Sequence, residues 1–172
     1  MSIHPQYADA ILAGTKRVEF RKRRLAPDVS TVVIYATQPV GRIVGTFEVL
    51  GHDVAPPAEL WDRHGTHAGI SLTGYDEYYA QTPAAVGILI GSVQQLSQPR
   101  QVTDLPGVSR PPQSFSYLTR AQANDVQTWL QRAPQDTDRT HSVSGPPSVV
   151  ASILVRTADA IQAATSLLRR AV

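Results

Sequence analysis

Between Gly14 and Arg24 the sequence reads GTKRVEFRKRR, and these are the side chains best suited to chemistry. Six of the sixteen Lys and Arg residues fall in nine positions, Lys16 to Arg24, around one carboxylate, Glu19, which sits between Val18 and Phe20. The alternation is that of a strand, where successive side chains point to opposite faces. Val18 and Phe20 then face a core, and Arg17, Glu19, Arg21 and Arg23 form a stripe on the other side. Guanidinium forks match phosphate oxygens in pairs, and a carboxylate among them holds the forks in register or accepts from a base amino group. The plainer reading is a solvated face on which Glu19 and Arg21 form an exposed pair of little energetic weight. His64 and His67, close to Asp62, invite a metal reading. Two histidines three residues apart in a loop, without cysteine partners, make a weak one, so neither a metal nor a cofactor is expected.

The elements that must position the basic stretch are legible around it. Pro5 suits the first turn of a helix whose Tyr7, Ala8, Ile11 and Leu12 share a face, and Gly14 provides a left-handed stop. STVVIYA and GRIVGTFEVL read as a hairpin with Ile43 and Phe47 on one face and Arg42 and Glu48 on the other. Helical patterns follow in PAELWDRHG and SLTGYDEYYAQ. AVGILIGSVQQL then reads as a buried strand whose Gly87 and Gly91 permit bending or close backbone approach, which favours a small closed barrel.

Beyond the barrel, RAQANDVQTWLQRA predicts a helix and PQDTDRTHSVSGPPS a linker. Val150, Ile153, Leu154, Ile161, Ala164 and Leu168 recur at helical spacing over residues 149–171. A helix carrying that stripe must bury it on its own domain or on a second copy, which would make a homodimer. The expected organisation is one domain over residues 1–122, then a helix, the linker and an amphipathic helix over residues 123–172.

Composition narrows the function. At 172 residues the chain has room for one such core plus an appendage. Residues 1–24 carry six Lys and Arg against Asp9 and Glu19, a formal +4, so with a total of +2 the remainder is at −2. The basicity is local, as a site requires. Fourteen of the sixteen basic residues are arginine, which favours planar recognition over diffuse attraction. Cysteine is absent, which excludes disulfides, thiolate metal sites and cysteine nucleophiles. No window approaches a membrane span and the first residues do not form a secretory leader, so no membrane partner and a cytoplasmic location are expected.

The segment SIHPQYADAILAGTKRVEFRKR resembles the N-terminal signature of ASCH domains, whose spaced Gly, Lys, Glu and Arg correspond to Gly14, Lys16, Glu19 and Arg21. VVIYATQPVGRIVGTFEV, LWDRHGTHAGIS, YDEYYA, AVGILIG and PPQSFSYL continue the resemblance to about residue 120, in the order seen in ASCH proteins described as predicted transcriptional regulators. It implies an α+β fold with a PUA-like barrel and flanking helices, and RNA or another nucleic acid as the ligand. The expected nucleic-acid-binding set is Lys16, Arg17, Glu19, Arg21, Arg23, Arg42, Gln113 and Tyr117. Tyr117 ranks above Tyr35 and Phe115 as a stacking residue because its surroundings are polar.

Two other functions stand beside a binding module. A metal-independent ribonuclease would use Lys16 and Arg21 to stabilise a phosphorane and Glu19 or a histidine to move the 2′-hydroxyl proton. An amidohydrolase like the ASCH branch that deacetylates N4-acetylcytidine would need the threonine nucleophile which that branch carries where Glu19 stands here, and a carboxylate in the region matching HGTHAG. Both are missing. A third class, a protein-docking module, would act through the C-terminal helix.

Overall fold

The computed structural model describes residues 1–132. The linker, the stripe over 149–171 and the homodimer expected from it lie outside the described residues.

Strand β1 (Ser2–Ile3) leads into α1 (Pro5–Leu12), which begins at the predicted proline and buries Ala8 and Ile11. The chain reverses at Gly14, whose φ is 74°. The Thr15 and Lys16 amides then both donate to the Ala10 carbonyl at 3.0 Å, which delivers the basic run to β2 (Val18–Arg21). β3 (Thr31–Ala36) and β4 (Arg42–Ala55) form the predicted hairpin. α2 (Pro57–His64), α3 (Leu72–Tyr79), β5 (Ala85–Arg100) and α4 (Arg120–Gln131) complete the order. No helix of the described residues is long and apolar enough to cross a membrane.

The α+β class is as expected, but the closed barrel is not. The sheet runs β1, β3, β4, β5, β2, and among the described residues no ladder joins β1 to β2. These two strands have two and four residues, too few to complete a ring of backbone pairs. The free edge of β1 is met by a loop instead. The Ser2 amide donates to the Ser114 carbonyl at 2.8 Å, and the Ser2 hydroxyl to the Pro112 carbonyl at 2.5 Å. A side chain crosses the seam: Arg21 Nη2, on β2, donates to the Ser2 carbonyl on β1 at 2.7 Å.

The hairpin also departs from strict alternation. Ile43 and Phe47 pack in different apolar clusters, not on one face, because the β3–β4 register shifts between Ile34 and Tyr35. A bulge of this kind turns the following side chains over. The inner cluster joins Ile3, Ile11, Ile34, Phe47 and Ile88. A second, on the other side of β2, packs Val18 and Phe20 against Leu60, Tyr75 and Tyr79 of α2 and α3. In a third, Val126 of α4 meets Val33, Ile43 and Leu96, and Ala123 joins the inner cluster.

Candidate functional site

Period-two alternation puts Glu19 on the face opposite Val18 and Phe20, and in this fold that face is inside. Glu19 pairs across β5 with Ile88, a core residue. The carboxylate thus lies at the inner edge of the seam, with its side chain 7% exposed. Burying an ion costs several kcal/mol unless partners replace the lost water. Two do so: Arg21 Nη2 lies 2.9 Å from Glu19 Oε1, and Lys16 Nζ lies 3.5 Å from Oε2.

Each cation is held by more than the carboxylate. Lys16 Nζ donates to the Ala68 carbonyl. That contact is possible because Gly69, at φ 66°, lets the loop lie on the lysine stem; a β-carbon there would stand 3.2 Å from Lys16 Cδ. The ammonium also stands 5.3 Å from the Tyr7 ring centroid and 5.6 Å from that of Phe20, within cation–π range. Burial pushes the Lys16 ammonium below its ordinary pKa of 10.5; Glu19 opposes the shift and Arg21 adds to it. Arg21 divides its fork among Glu19, the Ser2 carbonyl and the Ser114 hydroxyl, the last at 3.3 Å. Its Nε is buried and has no hydrogen-bond partner.

These three side chains line a cleft of about 180 Å³ with Tyr7, Tyr75 and Tyr78. The tyrosines belong to a rigid set. Phe20 and Tyr75 pack edge to face at 4.7 Å, and Tyr75 and Tyr79 are also 4.7 Å apart. Tyr75 donates its hydroxyl to the Pro57 carbonyl and Tyr79 to the Arg21 carbonyl, each at 2.9 Å. Burial pushes the Tyr75 hydroxyl up to about 12 and that of Tyr79 upward as well, so both stay neutral donors.

Of the expected residues, Lys16, Glu19 and Arg21 converge. Arg17 does not line the cleft: it is exposed and lines a neighbouring groove with Gly14, Ile90 and Gly91, which Lys16 also borders. Arg23 is exposed beyond the end of β2, so the predicted stripe breaks after Arg21. Arg42 is exposed and donates to the Gly41 carbonyl at 3.0 Å. Gln113 is exposed beside Ser114, the residue that reaches Arg21. The Tyr117 hydroxyl accepts from the Ala26 amide at 3.0 Å, and its ring lines a small apolar cavity away from the cleft. His64 lies 2.8 Å from Asp53, and His67 uses its carbonyl to accept from the Arg17 amide. Among the described residues, no three of His, Cys, Asp and Glu converge on a possible metal position.

Sequence reasoning missed Ser2, Tyr7, Tyr75, Tyr78 and Ser114. Tyr75, Tyr78 and Tyr79 share one helical face by their spacing, but only the packing of α3 against β2 shows where that face goes.

The model of the ASCH domain family matches residues 1–94, more than half of the chain. The chain belongs to the ASCH domain family. Its matched span includes β1, the seam, the basic strand and α3, and so every residue named for the cleft except Ser114. This ASCH protein is 31% identical over 129 residues to an ASCH domain-containing ribonuclease from Zymomonas mobilis, an overlap of 73% of this chain and 87% of the relative. The crystal structure of ASCH from Zymomonas mobilis superimposes with a TM-score of 0.70 at 30% identity, covering 74% of this chain and 92% of that one. A mutant of ZmASCH gives the same TM-score at 29% identity, with 74% and 94% covered.

Proposed function

We propose that this ASCH protein acts on RNA, and that the cleft at the β1–β2 seam receives one unstacked nucleotide of a single strand. One observation carries the reading. Two cations surround one carboxylate on the wall of a cleft, at a place nearly closed to water, leaving a formal charge of +1. An isolated positive excess is costly there, and a phosphate or a carbonyl on a base edge relieves it. Tyr7 and Tyr78, the partly exposed rings of the cleft, suit a base taken out of its stack. Glu19 acts in this reading as the organiser of the two cations, since both its oxygens are engaged by them.

A second reading, ribonucleolytic cleavage in the same cleft, is favoured by the lowered proton affinity of Lys16 and by the description of the Zymomonas mobilis relative as a ribonuclease. In it the 2′-hydroxyl gives up its proton and its oxygen bonds to the adjacent phosphorus. The bond to the 5′-oxygen breaks, and that oxygen takes up a proton. The products are a 2′,3′-cyclic phosphate and a 5′-hydroxyl. Lys16 would hold or move one of these protons, and Arg21 would stabilise the charge gathering on phosphorus-bound oxygens.

One experiment separates the two: end-labelled single-stranded RNA with wild type, Glu19→Gln and Lys16→Met, with binding and product followed together, in magnesium and in EDTA. Binding without product, weakened in Glu19→Gln, supports recognition alone. Cyclic-phosphate product that disappears in Lys16→Met while binding persists supports cleavage. An RNA neither bound nor cut by the wild type would refute both.

A further inference from the structure

Tyr78 is a large side chain left 39% exposed, and it stands at the edge of the cleft. Helix amphipathicity explains its neighbours: Tyr75 and Tyr79, one turn apart, point inward and are buried. It does not explain a third aromatic ring left in water. That ring is nonetheless held in place. Tyr79 packs against it edge-on, with centroids 4.8 Å apart and planes at 75°, and the Lys22 ammonium stands over it 4.9 Å from the centroid. Tyr79 is in turn fixed to the Arg21 carbonyl, so the ring is tied to the strand that carries the cleft's charges.

A partly exposed ring of fixed orientation, with a cation over one of its faces, is the equipment that single-strand binders use for bases. The ring stacks any of the four, and the cation meets the backbone. Depth separates this ring from the cleft's inner wall, since Tyr75 is fully buried and Tyr78 is not. Resting on the cleft reading above, we infer that Tyr78 and Lys22 form a stacking platform for the base next to the nucleotide held in the cleft. The platform tolerates every base and lengthens the site from one nucleotide to two.

The test compares affinities for a single-stranded RNA of about ten nucleotides and for an abasic ribose–phosphate strand of equal length, both followed by fluorescence anisotropy. Tyr78→Ala weakens the intact RNA by roughly 5- to 100-fold, the range for loss of one stacked base, and leaves the abasic strand within about twofold. Tyr78→Phe binds like the wild type. Tyr78→Leu, which keeps an apolar side chain on the helix, behaves like Tyr78→Ala, so a folding defect in the alanine variant does not decide the outcome. Lys22→Ala weakens both strands by a similar small factor. If Tyr78→Ala and Tyr78→Leu bind intact RNA as the wild type does, or lose both strands equally, there is no platform. Arg21→Lys, checked by thermal unfolding, reports on the cleft itself. If that folded variant binds both strands undiminished, the cleft reading fails, whatever Tyr78 does.

Discussion

The molecule contains two clusters in which basic side chains gather on a carboxylate, Lys16 and Arg21 on Glu19 and Arg63 and His64 on Asp53, and they differ in where the fold puts them. At the seam, Lys16, Glu19 and Arg21 have side chains 3%, 7% and 12% exposed. On the outer face, Arg63 bonds both oxygens of Asp53 at 2.7 and 2.8 Å, reaches Glu59 at 3.3 Å, and His64 completes the group. There Arg63 is 46% and Glu59 63% exposed. The outer cluster has the shorter contacts, and distance alone would rank it first. Water screens it, however, and leaves it no charge that needs an outside partner. The seam has looser contacts, a positive excess, an unmet donor and aromatic walls. Burial, more than pairing geometry, distinguishes a candidate site from a surface ion network.

The largest difference between the two should appear in stability. Glu19→Ala strands two buried cations and costs about 3 to 5 kcal/mol in urea unfolding. Asp53→Ala costs about 1 kcal/mol or less. Equal losses would mean that the seam is as wet as the surface, and the contrast would collapse.

RNA affinity sharpens the comparison next. If Arg23, exposed just past β2, meets one phosphate of the bound strand, Arg23→Ala makes the slope of log affinity against log salt shallower by about 0.7, one contact's share for single strands. Arg63→Ala leaves the slope unchanged. A change with Arg63 and none with Arg23 would move the interface to the outer face.

The smallest effects are in pH, and both raise stability as pH rises, in different ranges. The hydrogen bond from His64, aided by Arg63, holds Asp53 below its ordinary 3.8. Its stabilisation is present above that unfolded value and is lost as pH falls through the folded one, so Asp53→Asn flattens the acid limb of the stability profile. Lys16 is lowered by burial, so the unfolded chain binds its proton more tightly. That penalty persists below the folded pKa and lifts as pH rises towards 10.5. Relative to Lys16→Met, the wild type therefore gains stability as the solution is made alkaline. Taking the difference between the two proteins cancels the buried tyrosines they share. A difference that stays flat would place Lys16 in water, and a wild type that loses ground would mean that pairing with Glu19 outweighs burial.

The sequence made the local parts of this site readable and left the tertiary parts hidden. Pro5, Gly14 and the alternation from Val18 to Arg21 gave the helix, the turn and the strand, because each is decided by neighbours in the chain. The same alternation put Arg17 and Arg23 in one stripe with Glu19, and the fold separated them: β2 ends at Arg21, and Arg17 faces a different groove. The bulge at Val44, opposite Ile34 and Tyr35, which splits Ile43 from Phe47, has no signature in so regular an apolar run. Nor did the glycines of β5 reveal that β1 and β2 would not pair with each other, because closure depends on the lengths of strands far apart in the chain. Tyr78 was invisible for the same reason, and the polar residues around Tyr117 gave no sign that its hydroxyl accepts from the Ala26 amide.

The central claim is that the seam, not the outer face, holds RNA, and the group that reports on it most directly is the Arg21 Nε–H without an acceptor. In protein labelled with nitrogen-15, the side-chain Nε–H signals of Arg21 and Arg63 can be followed while a single-stranded oligoribonucleotide is added. The Arg21 signal should shift and saturate with the binding isotherm as bound RNA changes the field around its guanidinium, while that of Arg63, whose Nη1 is held by Asp53, stays fixed. A stationary Arg21 signal beside a moving Arg63 signal, at RNA concentrations that saturate the protein, would contradict the account.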